Sequence, residues 1–166
     1  MAFAGFHNER GIHPVDTVEA LADDNKWSFE RAGEDEIAIL VAGVWTDYNV
    51  SFSWMEDFEA LHVACAFDMR VPEKRVVETM RLMSLVNEQM LFGHFDLWLQ
   101  DGSVMFRHAV PLAGGAEANE SQIECLLSSA LNSCERYYQA FQFVVWAGRT
   151  ASEALDSVLF DTVGEA

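Results

Sequence analysis

An α+β fold of two layers, a largely antiparallel sheet with helices on one face, is predicted by three observations. Four segments between residues 27 and 70 alternate apolar with polar side chains. Two more between residues 94 and 107 do the same around Asp101-Gly102. Amphipathic helical segments precede, interrupt and follow them. Strict alternation of period two gives an antiparallel sheet with one dry face, and helices with an apolar stripe are what covers such a face.

The first helix is predicted from Pro14, a residue suited to a first turn, with Asp16 and Glu19 at the positive end and Val15, Val18, Leu21 and Ala22 as a narrow apolar stripe ending near Asn25. Trp27, Phe29 and Arg31, then Ile37, Ile39 and Val41 after a turn over Gly33 to Asp35, make a hairpin. Tyr48, Val50, Phe52 and Trp54 share one face of the next strand. Leu61, Val63, Cys65, Phe67 and Met69 share one face of the strand after it, with His62 and Asp68 opposite. Pro72 opens a second helix whose buried side is expected to be Val76, Val77, Met80, Met83 and Leu91. Asp101-Gly102 signals a two-residue type I′ hairpin. In that register Asp96 stands opposite Arg107, and Trp98 and Met105 are apolar residues on an otherwise polar outer face.

A final long helix is expected over about 120 to 147, followed by a short one over 151 to 160. Ile123, Leu127, Ala130, Cys134, Tyr137, Phe141 and Val144 form a seam for the sheet. Leu131, Tyr138 and Val145 form a second apolar seam, beyond the needs of a two-layer monomer, and are the candidate homodimer contact. Residues 1–12 lack periodicity and read as a mobile tail, leaving one domain over 13–166.

The composition narrows the function classes. A hydrophobic fraction of 51% supplies a real core and excludes wholesale disorder. Ten basic against 27 acidic residues, a formal charge of -17, argue against nucleic acid and anionic membranes and favour neutral or basic protein partners. The start has no basic stretch leading into a signal-length apolar run, and no segment approaches the length of a membrane span, so the expectation is a cytoplasmic protein. Cys65, Cys125 and Cys134 lack metal spacing. On one helix Cys125 and Cys134 would lie about 13 Å apart along the axis, too far for a disulfide.

No catalytic motif is present. His7, His13, His62, His94 and His108 never fall at ligand spacing, no nucleophile elbow surrounds any serine, and no glycine-rich phosphate loop occurs. The expectation is therefore no metal, no cofactor and no catalytic residue. The candidate partner-binding face is Asp96, Trp98, Met105 and Arg107. The competing reading is a small-ligand sensor or enzyme with a pocket between the sheet and the long helix, using Asp68, His62, Asp96 or Arg107.

The segments Val86-Asn87-Glu88, Gly93-His94-Phe95 and Asp101 through Arg107 resemble the core of the YbjN family, described as bacterial sensory transduction regulators. The upstream DEIAILVAG and VSFSWMED stretches and the long downstream helix are similar to the rest of that domain, over residues 14 to 160. The resemblance implies a fold like that of type III secretion chaperones, acidic two-layer proteins that dimerise and hold partner polypeptides. It also implies a non-enzymatic role with no catalytic residues to carry over.

Overall fold

A computed structural model describes residues 10–163, and side chains as far as residue 160. The chain runs α1 (Pro14–Asp24), β1 (Ser28–Arg31), β2 (Glu36–Ala42), β3 (Asp47–Met55), β4 (Ala60–Arg70), α2 (Val76–Asn87), β5 (His94–Trp98), β6 (Ser103–Pro111), α3 (Glu120–Val145) and α4 (Ala151–Val163). All strand pairs are antiparallel, in the order β1-β2-β3-β4-β6-β5. The α+β sheet-and-helix architecture expected from alternation is the one observed. After β4 the chain crosses through α2, returns as β5 at the far margin, and turns inward as β6.

Local chemistry sets the element ends. Pro14 opens α1 behind His13, whose ring Nδ1 accepts from the Val15 N–H at 3.2 Å. Asn119 and Gln122 form a reciprocal capping box at the start of α3, each bond 2.9 Å. Arg31 closes the β1–β2 turn by donating to the Gly33 and Glu34 carbonyls at 2.7 Å and pairing with Asp16 and Glu19 of α1. Residues 1–9 of the expected tail lie outside the described residues. Arg10 is anchored: it bonds the Leu112 carbonyl at 2.8 Å and Glu59 at 3.3 Å, and stacks over Trp54.

The dry face is filled by aromatic rings. Phe67 of β4 and Phe95 of β5 meet each other and Tyr137, Tyr138 and Phe141 of α3, and Phe95 meets Phe106 of β6, at centroid distances between 5.0 and 6.2 Å. The seven residues of the first α3 seam are all buried, as expected.

The second seam needs correction. Tyr138 is 4% exposed, packed edge-on against Tyr48 and Phe67, and Val145 is 6% exposed. Leu131 is partly buried against the same core. α4 packs on α3 and α2, with Ala151, Ala154, Leu155 and Val158 buried. Tyr138 and Val145 of the expected homodimer seam are thus core of this chain, Tyr138 being covered by the sheet, and Leu131 sits half-buried at the core's margin.

Helix α2 is also rotated from its expected phase. Its buried residues are Thr79, Leu82, Met83 and Val86, while Val77 is 63% and Met80 52% exposed, and Leu91 lies beyond the helix end in solvent. Thr79 can be buried because its hydroxyl donates to the Arg75 carbonyl one turn back at 2.8 Å.

The β5–β6 hairpin differs by two residues from the expected register. Asp96 faces Met105, Trp98 faces Ser103, and a four-residue turn connects them. A type I′ turn needs positive φ at both central residues, and Asp101 lacks it; only Gly102 has it, at +73°. The Gly102 carbonyl accepts from the Val71 N–H at 2.9 Å, and a Cβ on Gly102 would lie 2.7 Å from the Val71 carbonyl oxygen, so the turn is seated on the end of β4. Because the slip is even, every side chain keeps its expected face.

Asn87 pins the outer margin of β5. Its amide donates to the Phe95 carbonyl at 3.1 Å and accepts from the Phe95 N–H at 2.8 Å, standing where a neighbouring strand would. Asn87→Ala is expected to lower unfolding free energy by about 1–3 kcal/mol by stranding both backbone groups. Urea denaturation checks this, and a change below about 0.5 kcal/mol, the level of an ordinary surface substitution, would contradict it.

Candidate functional site

The solvent face of the sheet carries a polar cluster where β4, β6 and β5 run side by side. Arg107 of β6 lies at its centre. Its Nε donates to His62 Nε2 on β4 at 3.2 Å, and its Nη1 donates to Asp96 Oδ2 on β5 at 2.9 Å. His94 Nε2 reaches the same Asp96 oxygen at 3.2 Å. The ion pair expected between Asp96 and Arg107 therefore exists, though diagonally: His94 is the residue directly opposite Arg107, and the long guanidinium side chain spans the diagonal to Asp96. His62, His94, Arg107, His108 and Ala109 line a cavity of about 260 Å³.

The electrostatics follow from this packing. Burial, then the adjacent Arg107 charge, holds the His62 imidazole below its ordinary pKa; burial, then His94, does the same to His108. The His62 to Arg107 bond requires a lone pair on His62 Nε2, placing the neutral ring's hydrogen on Nδ1.

Three of the four residues in the ligand-site reading, His62, Asp96 and Arg107, thus converge, and Asp68 does not join them. The pocket expected between sheet and long helix is replaced by the packed aromatic rings of the core; the polar cluster lies on the opposite face. His94 joins the cluster without having been anticipated, because the expected register put Asp96 and not His94 opposite Arg107, while the His108 ring turns to the other face of the sheet against Phe92.

Trp98, 49% exposed, and half-buried Met105 share the outer face but stand diagonally and not opposite each other. Near Trp98, the hairpin turn and α2 bound an open groove of about 690 Å³ lined by Val71, Val76, Val77, Leu97 and Leu99, with Glu73 and Asp101 among its polar residues. A third concavity, about 310 Å³, lies between the Met90 to Phe92 loop and α3.

Buried Cys134 lies beside buried Cys65 across the helix–sheet interface, and the neighbouring thiol together with burial pushes its pKa up, whereas Cys125 is exposed. Among the described residues no group of three or more His, Cys, Asp or Glu is placed to hold a metal ion, and no helix is long and apolar enough to cross a membrane.

The family model described as "Putative bacterial sensory transduction regulator" matches residues 14–143. The chain belongs to the YbjN family. Both the Arg107 cluster and the groove beside Trp98 fall inside the matched range, and α4 lies beyond it. A crystal structure of YbjN from E. coli superposes with a TM-score of 0.53 at 12% identity, covering 73% of this chain and 85% of that one. The ExsC–ExsE complex superposes with a TM-score of 0.50 at 13% identity, covering 79% of this chain and 97% of that one. These similarities establish the fold, and the chaperone-like architecture implied by the YbjN resemblance is the one found. No curated protein matches the chain in sequence.

Proposed function

We propose that this YbjN-family chain is a non-enzymatic, chaperone-like binding and regulatory module of the cytoplasm, one domain over 13–166, that takes a segment of another protein into the groove between α2 and the β5–β6 turn. That groove carries the reading. It is large, apolar and flanked by exposed Val77 and Leu99, the composition of a surface meant to be covered. Glu73 and Asp101 line it and the chain's charge is -17, so the segment it fits is apolar with basic residues. The ExsC–ExsE complex, a related fold found with a second protein, supports the same reading. Since Asn87 already bonds both backbone groups of Phe95 on the β5 margin, the segment docks through side chains in the groove and not by lengthening the sheet there.

Affinity capture with wild type, Val77→Glu and Leu99→Glu, followed by titration of the retained protein's basic apolar segment, tests this. Leu99→Glu is expected to weaken binding at least about tenfold, roughly 1.4 kcal/mol. Equal affinity for all three forms would refute the groove as the site.

The homodimer is proposed on a different surface from the one expected. Leu91, 88% exposed, and Phe92 project beside the 310 Å³ concavity of α3, and a knob next to a recess on one surface is the arrangement a two-fold contact uses. Light scattering should give a dimer for the wild type and a monomer for Leu91→Glu. A wild-type monomer at micromolar concentration would refute the proposal. The ligand-sensor reading is favoured by one observation, the convergence of His62, Asp96 and Arg107.

A further inference from the structure

We propose that the cavity around Arg107 binds a small oxyanion, the shared chemistry of a phosphate or carboxylate group. The inference stands apart from the protein-binding groove, which lies along another part of the hairpin.

Three features of the backbone and side chains support it. Arg107 is oriented by two of its nitrogens, Nε to His62 and Nη1 to Asp96, while Nη2 has no hydrogen-bond partner among the described residues. A guanidinium fixed on one side with donors left over is suited to receive an oxyanion. Secondly, β5 begins at His94, opposite Arg107, so β6 continues past its neighbour. The Phe95 N–H and C=O both engage Asn87, so His94, Asp96 and Trp98 are the β5 residues bonded to β6; the same alternation turns the Ala109 N–H toward the margin that β5 leaves uncovered. Ala109 lines the cavity, bringing a backbone donor to the side chains. Thirdly, the imidazoles of His62 and His94 share the solvent face with Arg107 and line the same space, and His62 in its required tautomer has Nδ1–H as a donor.

The occupant is small because the chain's net charge of -17 repels a polyanion along its whole length, whereas one oxyanion meets mainly the local field. That field is set by His62 of β4, His94 and Asp96 of β5, and Arg107 of β6, the charged and titratable groups that face the cavity, with the His108 ring turned to the other face of the sheet against Phe92. Asp96 offsets Arg107, so the cavity is close to neutral when the imidazoles are unprotonated. His62 stays neutral to accept from Arg107, and an anion favours the protonated form of the other imidazole facing it, so its binding takes up a proton and tightens as pH falls.

The test is histidine ring nitrogen NMR on the full chain, titrated separately with inorganic phosphate and with acetate at about pH 6 and about pH 8, on either side of the ordinary imidazole pKa. Saturable shifts of His62 and His94 are expected at the lower pH, with affinity at least about fivefold weaker at the higher. Arg107→Gln should abolish them, and Asp96→Asn should tighten binding by about tenfold by removing a like charge. His94→Gln, which leaves the Arg107 contacts intact, is the second variant should Arg107→Gln fail to fold; it should weaken binding several-fold. Preference for phosphate or for acetate identifies the source of the group. Shifts that never saturate, that are unchanged between the two pH values, or that survive in the binding-deficient variants would overturn the assignment.

Discussion

Phe95→Ala is expected to lower the unfolding free energy by about 3–5 kcal/mol, the range for truncating a large buried ring. Phe95 is fully buried on a strand of five residues, and its ring touches Phe67 and Phe106 within the sheet and Tyr137 and Phe141 on α3. Removing it empties the point at which the marginal strand, the sheet centre and the long helix meet. The aromatic neighbours, held by their own contacts, relax only partly into the void, which places the effect high in the range. Urea unfolding with an unchanged slope would register it. A loss below about 1 kcal/mol would show that the hairpin does not share the core's cooperativity.

Tyr138→Glu is expected to unfold the protein instead of separating a dimer. Tyr138 lies between Tyr48 and Phe67, and a carboxylate there would be buried without a partner, a change that costs several kcal/mol or forces protonation. Circular dichroism and light scattering together decide the matter. A well-folded monomer from a dimeric wild type would restore the second seam of α3 as an interface. Loss of the folded signal, with Leu91→Glu still folded, would confirm that the seam is core.

Much of the architecture was legible because sheet alternation survives errors that pairing does not. Each strand from Trp27 to Arg70 has its apolar side chains where period two puts them, and even the misjudged hairpin keeps its faces because the register moved by two. What failed depended on neighbours distant in sequence. The Asp101-Gly102 signal assumes a free turn, whereas this one is held by Val71. The α2 stripe was misplaced because Thr79 hides its hydroxyl within the helix, and the α3 seam because no local pattern shows that Tyr138 is enclosed by Tyr48 and Phe67 of the sheet. In the site, Asp96 and Arg107 could be paired from the hairpin alone. His62 joins them only through the β4–β6 pairing, and Cys65 meets Cys134 only through the placement of α3 on the sheet.

The amide of Asn87 has a consequence for how copies of this molecule can add to one another. A layer with two receptive rims can stack end over end without limit, as fibrils do. Here one rim is plugged at Phe95 by the molecule's own side chain, and among the described residues β1 provides the other. Joining rim to rim through β1 consumes the receptive rim of both participants, so growth by that route stops at a closed pair.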